Sequence, residues 1–333
     1  MKSTTSIFYD NQVLINRTVR WNDELQSWIV LDPVVASKLL KSEVFQVGGA
    51  VERVAQIAEK NGIEIATMLA ALHEAPLTKN GEEHKRTRRQ FAAKLMPRMN
   101  AAVAAFSQAC AEQLAAILQP GKSADLFVGL LVPAMNAALP QLRGSEISLE
   151  TFRVNSTTQL FSNMQIISAS RLDMLEKEMN RAHKATAPET NDPVMTLFAG
   201  DPTIGSLGES LIDGIRSNPG LRLSDIPWAE EFTRTSVAFT ERIAASETEI
   251  EGVRIKKGDT VVIYLGAFEA SSQIHFGAGA HRCLGEALAR MMWDSLRTAL
   301  KARHEKLEIE HVEYRGADFV FSMPLSIKVK VTR

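Results

Sequence analysis

The segment LFVGLLVPAMNAALPQL, from Leu126 to Leu142, contains no charged residue. Asp125, just before it, is of a type that caps helices. A helix apolar on nearly every side is stable only when other elements enclose it. The chain must therefore build a helical core around this stretch. Phe91, Leu95, Met99, Val103, Phe106, Cys110 and Leu114 recur every three or four residues, a helical spacing that Pro97 divides in two.

Further helices read out of capping and breaking residues. Asp32 and Pro33 open one over VVASKLLKS, and 52–60 and 63–73 form two short helices separated by Asn61 and Gly62. Residues 148–184 read as a long helical region, with ATAPETNDP as a loop after it. Asp192 and Pro193 start the next helix, SNPG ends it near residue 220, and a further helix is expected over 225–235. Strand signals are fewer. RTVRWNDELQSWIVLDP alternates around Asn22 and Asp23, TEIEGVRIKKGDTVVIYLG alternates with Gly252 and Gly258 at turns, and ADFVFSMPLSIKVKVTR looks similar. No repeat or linker divides the chain, so residues 1–333 are expected to form one mainly α domain with a small β portion, an α+β arrangement.

Composition narrows the function classes. With 38 Lys+Arg against 39 Asp+Glu, no excess charge recommends nucleic acid or an anionic membrane as partner. Two cysteines, Cys110 and Cys283, do not make a disulfide framework. The N-terminus lacks the apolar core of a signal peptide and no window is long enough to span a bilayer. The expectation is a cytoplasmic protein.

Cys283 lies in IHFGAGAHRCLGEALAR, between a glycine-rich loop and a helical run that begins near Leu284. The unpaired N–H groups at a helix start favour a thiolate there. Such a thiolate can be a nucleophile, a redox sensor or a metal ligand, while a buried structural cysteine is the alternative. No CxxC or HxxxH spacing supplies a zinc set, but one thiolate suffices as the axial ligand of a heme iron.

FGAGAHRCLGEALAR resembles the heme-binding signature of the cytochrome P-450 superfamily at Phe276, Gly277, Gly279, His281, Cys283 and Gly285. The resemblance implies a P-450-like fold holding heme b, iron protoporphyrin IX, with Cys283 as the metal ligand. WAEEFTR supplies the family's ExxR as Glu231 and Arg234, a structural pair of the proximal side. Arg242 matches the arginine that meets a heme propionate, and EEHKRTRRQF resembles the HxxxR helix through His84 and Arg88. With His281 these make four propionate partners.

The region above the iron departs from the pattern. LFAGDPTIG aligns Ala199, Gly200 and Thr203 with the family's oxygen-handling helix, but Pro202 occupies the acid position and Asp201 stands beside it. Thr203 and Asp201 are the catalytic candidates, as proton donors to bound oxygen. Pro202 is expected to kink the helix. The helix is also short before Ala199, and 266–273 is too short for the meander that precedes the cysteine loop in relatives. The chain resembles a shortened bacterial-type member.

The resemblance implies an oxidase or monooxygenase of a small organic molecule, in secondary metabolism. Electrons would come from a ferredoxin and its reductase, docking near Lys85, Arg86, Arg89 and Arg282. The pocket is expected around 68–77, the residues before Ala199, and 237–240. Pro202 motivates a second reading, a peroxygenase, dehydratase or rearrangement catalyst without a reductase. A third is a non-catalytic heme-binding relative. A trimmed distal side also leaves room for a dimer contact.

Overall fold

The computed structural model describes residues 18–143, 169–185, 193–237, 239–265, 274–314 and 324–333. The N-terminal alternation closes as expected: β1 (Val19–Asn22) and β2 (Ser27–Val30) pair antiparallel, with Trp21 opposite Trp28. α1 (Pro33–Lys41) follows, its first turn capped by the Asp32 carboxylate, which accepts from the N–H groups of Val34 and Val35. β3 (Phe45–Gln46), α2 (Ala50–Asn61) and α3 (Ala66–Glu74) come next. Gly62, in the left-handed conformation, ends α2 where the sequence places the break.

The predicted division at Pro97 is observed. α4 (Gly81–Leu95) passes through a single 3-10 turn, Met96–Arg98, into α5 (Met99–Ile117). Asp125, at the end of β4 (Ser123–Asp125), accepts from the N–H groups of Phe127 and Val128 and starts the charge-free segment, a π turn over Phe127–Leu131 continuing as α6 (Val132–Arg143). Leu130, Leu131, Met135, Ala138 and Leu139 are fully buried. Around them pack α5, α8 (Pro193–Ser217) and α9 (Glu286–Lys301) through Phe106, Leu114, Leu207, Leu211, Met292 and Trp293. Of the expected 148–184 helix, α7 (Ala169–Ala185) is described; the part before 169 and residues 186–192 of the ATAPETNDP loop fall outside the described residues.

Strands form where the alternation after residue 248 and in the tail indicated, whereas those over 45–46, 123–125, 240–244 and 306–314 were not expected. β5 (Thr240–Ala244), β6 (Thr248–Ile250), β7 (Val253–Ile255) and β8 (Thr260–Ile263) complete a five-stranded sheet in the order β1-β2-β8-β5-β3 and a β6–β7 hairpin turning at Gly252. β8 runs parallel to β2 and antiparallel to β5. β9 (Lys306–Tyr314) and β10 (Pro324–Thr332) pair with β4 in a second sheet, with Ile327, Val329 and Val331 turned into the helical core.

One expected element does not form. Residues 225–235 contain turns and bends but no helix. Pro227 interrupts the segment, and Trp228, buried beside Gly214 of α8, pins it to that helix. Among the described residues no helix is long and apolar enough to cross a membrane.

α3 has no cap of its own, since Ile65 precedes it. The Glu176 carboxylate of α7 takes that place: Oε1 accepts from the Thr67 N–H at 3.0 Å and Oε2 from the Met68 N–H at 2.9 Å, while Asn180 also donates to Oε1. A buried carboxylate at a helix N-terminus is favoured by the helix dipole and by hydrogen bonds to an ionised acceptor. Glu176→Ala should lower unfolding stability by about 2–3 kcal/mol and Glu176→Gln by less, as read by denaturant titration.

Candidate functional site

The cysteine loop is closed by its own backbone. The N–H of Gly277 donates to Ile274 O at 2.8 Å, that of Arg282 to Gly279 O at 3.2 Å, and that of Cys283 to Phe276 O at 2.8 Å. Gly277 and Gly279 both have positive φ, 72° and 69°. A Cβ on Gly279 would stand 2.2 Å from Leu40 O, so this glycine docks the loop onto the end of α1. At Gly277 the backbone conformation alone requires glycine, because an added Cβ meets nothing nearer than His281 O at 3.9 Å. Gly285, with an ordinary φ of −84°, leaves space beside the sulfur, where a Cβ would lie 3.9 Å from Cys283 Sγ.

α9 begins at Glu286, and the N–H groups of Gly285 and Glu286 bond the Cys283 sulfur. Burial nevertheless outweighs them and raises the thiol pKa. The helix start thus favours the thiolate, as the sequence argument holds, but against a larger opposing effect of burial. Cys283 is exposed, but to a cavity: it lines an interior space of about 400 Å³, a size typical of small-molecule and cofactor sites. Cys110, by contrast, sits in the core of α5 with its pKa pushed up to about 12, an inert thiol.

The four residues assigned to propionates come together on the wall of that cavity from three separate segments: His84 and Arg88 on α4, Arg242 on β5 and His281 in the loop. The rings of His84 and His281 lie 4.0 Å apart. His84 is buried and its Nε2 has no hydrogen-bond partner. Burial and the nearby arginines lower the pKa of His84 and bring that of His281 to about 3. Burial also lowers Arg242 to about 10, and lowers Arg88 against the pull of Cys283. Arg242 donates to Thr240 Oγ1 at 2.9 Å and to its neighbour's carbonyl, Glu241 O. Among the described residues no carboxylate acts on either arginine. Desolvated cations so gathered call for an anion.

Pro202 and Thr203 of α8 line the same cavity. The helix runs through Pro202, and the carbonyl of Pro202 accepts the Ser236 hydroxyl at 2.7 Å; the Ser236 N–H in turn donates to Ser206 Oγ at 2.9 Å. The sequence reading did not find these two serines. Ala199, Gly200 and Asp201 are placed as backbone in the first half of α8, and their side chains are outside the described residues. Of the expected pocket wall, Leu77, Val237 and Thr240 line the cavity, whereas Met68 and Leu72 belong to a separate core with α7.

The Glu231–Arg234 pair is not formed. Without a helix the two side chains have no shared face: Arg234 Nε bonds Asp213 Oδ2 at 2.8 Å, and Glu231 Oε1 meets Arg290 Nη1 at 2.9 Å. Arg290 also reaches Glu286, which holds Arg282 in turn. The spacing of Arg282, Glu286 and Arg290 at intervals of four was the legible signal for this chain of ion pairs.

No family model matches the chain. A Mycobacterium tuberculosis protein bearing the name cytochrome P-450 140 is 34% identical over 123 residues, 29% of this chain and 28% of its own length. A Xylella fastidiosa protein named cytochrome P-450 133B1 is 30% identical over 146 residues, 36% of each chain. These matches thus span about a third of the relatives' lengths. The crystal structure of a thermophilic cytochrome P-450 from Sulfolobus tokodaii superposes with a TM-score of 0.68 at 14% identity, covering 98% of this chain and 99% of that one. The fold is that of the cytochrome P-450 structures. Over about a third of its length the chain is also similar in sequence to proteins bearing that name.

The group that the resemblance implies is heme b, and the residues present fit it: a thiol on the cavity wall, two arginines and two imidazoles clustered there, and a buried His84 Nε2 without a partner among the described residues. A buried cation lacking an anion costs stability until the anion arrives. Arg242→Met should therefore leave the heme-free protein as stable as the parent or more so, while heme is lost faster to an acceptor such as apomyoglobin. Gly279→Ala should destabilise the loop by more than about 1–2 kcal/mol, since positive φ and the Leu40 carbonyl both oppose a methyl. Thermal unfolding with and without heme checks both variants.

Proposed function

We propose that the chain is a heme-thiolate monooxygenase that oxidises a small organic molecule, in secondary metabolism, with electrons from a ferredoxin-type partner. The observation that carries this reading is that one cavity joins Cys283, the four propionate partners and Thr203. Heme bound there supplies one-electron and dioxygen chemistry. Cys283 would hold the group through Sγ, and His84, Arg88, Arg242 and His281 would fix its orientation by pairing with its carboxylates. The Thr203 hydroxyl stands at the cavity wall as the group that moves a proton, with Asp201 beside it in sequence. Leu77, Val237 and Phe239 provide an apolar wall that excludes water and orients substrate by shape. Lys85, Arg86, Arg89 and Arg282 are exposed and suit an acidic electron donor, although Lys85 is engaged by Glu82 and Arg282 by Glu286.

Pro202 favours a second reading. It lines the cavity where relatives carry an acid, and its ring has no proton to give. A peroxide-using or redox-neutral enzyme needs less of that delivery and no ferredoxin.

The reduced carbon monoxide complex should show the red-shifted Soret band of thiolate-bound heme, and Cys283→His should lose it. Turnover of candidate substrates with ferredoxin, reductase and NADPH, absent with peroxide alone, supports the first reading. Turnover independent of the electron donor supports the second. Thr203→Ala should cut product formation per NADPH consumed by about 10²-fold or more if its hydroxyl acts as general acid.

A further inference from the structure

Arg290 touches both sides of the cysteine. Its Nη1 lies 2.9 Å from Glu231 Oε1 and its Nε 3.1 Å from Glu286 Oε1. Its guanidinium lies over the Phe276 ring, 5.2 Å from the centroid. Phe276 supplies the carbonyl that accepts the Cys283 N–H, and Glu286 supplies one of the N–H groups that bond the Cys283 sulfur. The planar fork thus grips, through a ring face and a carboxylate, the two residues whose backbones hold the cysteine from either side.

The surroundings make this grip rigid. Phe276 meets Phe232 edge-on at 5.8 Å, Phe232 stacks on Trp293 at 5.9 Å, and Trp293 Nε1 donates to Ala229 O at 3.0 Å. α9 therefore holds the irregular segment 229–232 at two points, Trp293 on Ala229 and Arg290 on Glu231. Arg234 is turned away, bound to Asp213 of α8, which also accepts the Thr233 hydroxyl at 3.1 Å.

We infer that Arg290 is the positioning residue of the cysteine loop, joining Glu231, Phe276 and Glu286 in place of a Glu231–Arg234 pair. The inference rests on Cys283 being the heme ligand. It makes Arg290, and not Arg234, the arginine on which the geometry of the sulfur depends.

The test compares carbon monoxide complexes of dithionite-reduced, heme-loaded protein. Arg290→Gln should lose most of the red-shifted Soret band to an unshifted one. Arg290→Lys, which keeps the charge but not the fork, should retain an intermediate share, a graded rescue that loss of packing does not produce. Arg234→Gln should keep the parent band. A parent band in Arg290→Gln overturns the inference, as does loss of the band in Arg234→Gln alone. Should Arg290→Gln not fold, as judged by circular dichroism, Glu231→Gln and Glu286→Gln each remove one arm of the grip, and parent bands in both overturn it. An unmutated protein whose band is unshifted and matched by Cys283→His overturns the heme-thiolate reading itself, a separate outcome.

Discussion

The structure turns on two desolvated arginines, Arg88 and Arg242, gathered beside two imidazoles, with no carboxylate acting on either arginine among the described residues. His84, Arg88, Arg242 and His281 reach one cavity from a helix, a strand and a loop far apart in sequence. Taking such groups out of water costs several kcal/mol per ion unless something pairs with them. The fold accepts that cost at a definite place. Arg242 is held on β5, between β8 and β3 in the five-stranded sheet, and α4 presents His84 and Arg88 one turn apart. His281 is delivered by a loop that Gly279 allows to dock on α1. A dianionic planar group entering the cavity would offset the penalty and bind where the penalty was greatest. The same positive field favours the anionic form of Cys283, which burial by itself opposes.

Contacts from the segment before β5 hold this arrangement together. Residues 229–232 form an irregular strap secured to α9 by Trp293 and Arg290. Arg234 is used to tie the segment after it to α8 through Asp213. Ser236, two residues on, takes hold of α8 at Pro202 and Ser206. One connection thus joins the face below the cysteine to the helix carrying Thr203, so the two walls of the cavity are mechanically continuous.

Much of this was legible in the sequence. The charge-free segment required enclosure by helices, Asp32 and Asp125 marked starts, Pro97 and Gly62 marked breaks, and Gly252 marked a turn. The cavity residues were legible through the resemblance, which picked out His84 and Arg88 on one helical face, Arg242, and the glycine loop with His281 and Cys283. The failures came where local pattern and tertiary contact disagree. Residues 225–235 have helical composition, but Pro227 and the burial of Trp228 against Gly214 override it. The ExxR pairing was inferred from spacing on a helix that does not form. The thiolate was argued from the helix start without weighing desolvation, which is a property of the whole fold. Glu176, capping α3 from more than a hundred residues away, has no sequence signal at all.

The division of polarity within the cavity bears on selectivity. Charge is concentrated on the residues that suit propionates, while Leu77, Val237 and Phe239 offer shape and little else. A methylene more or less against such a wall changes binding by only about 1–3 kcal/mol, so shape alone gives modest discrimination. Arg53 and Glu241 also line that wall, facing each other at a loose 3.8 Å and tying α2 to β5. Glu241 adjoins Arg242 on that strand, so the strand that brings Arg242 to the cavity also carries this ion pair to α2. Thr240, Glu241, Arg242 and Ile243 all line the cavity from β5, so a displacement of that strand moves charged and apolar parts of the wall together.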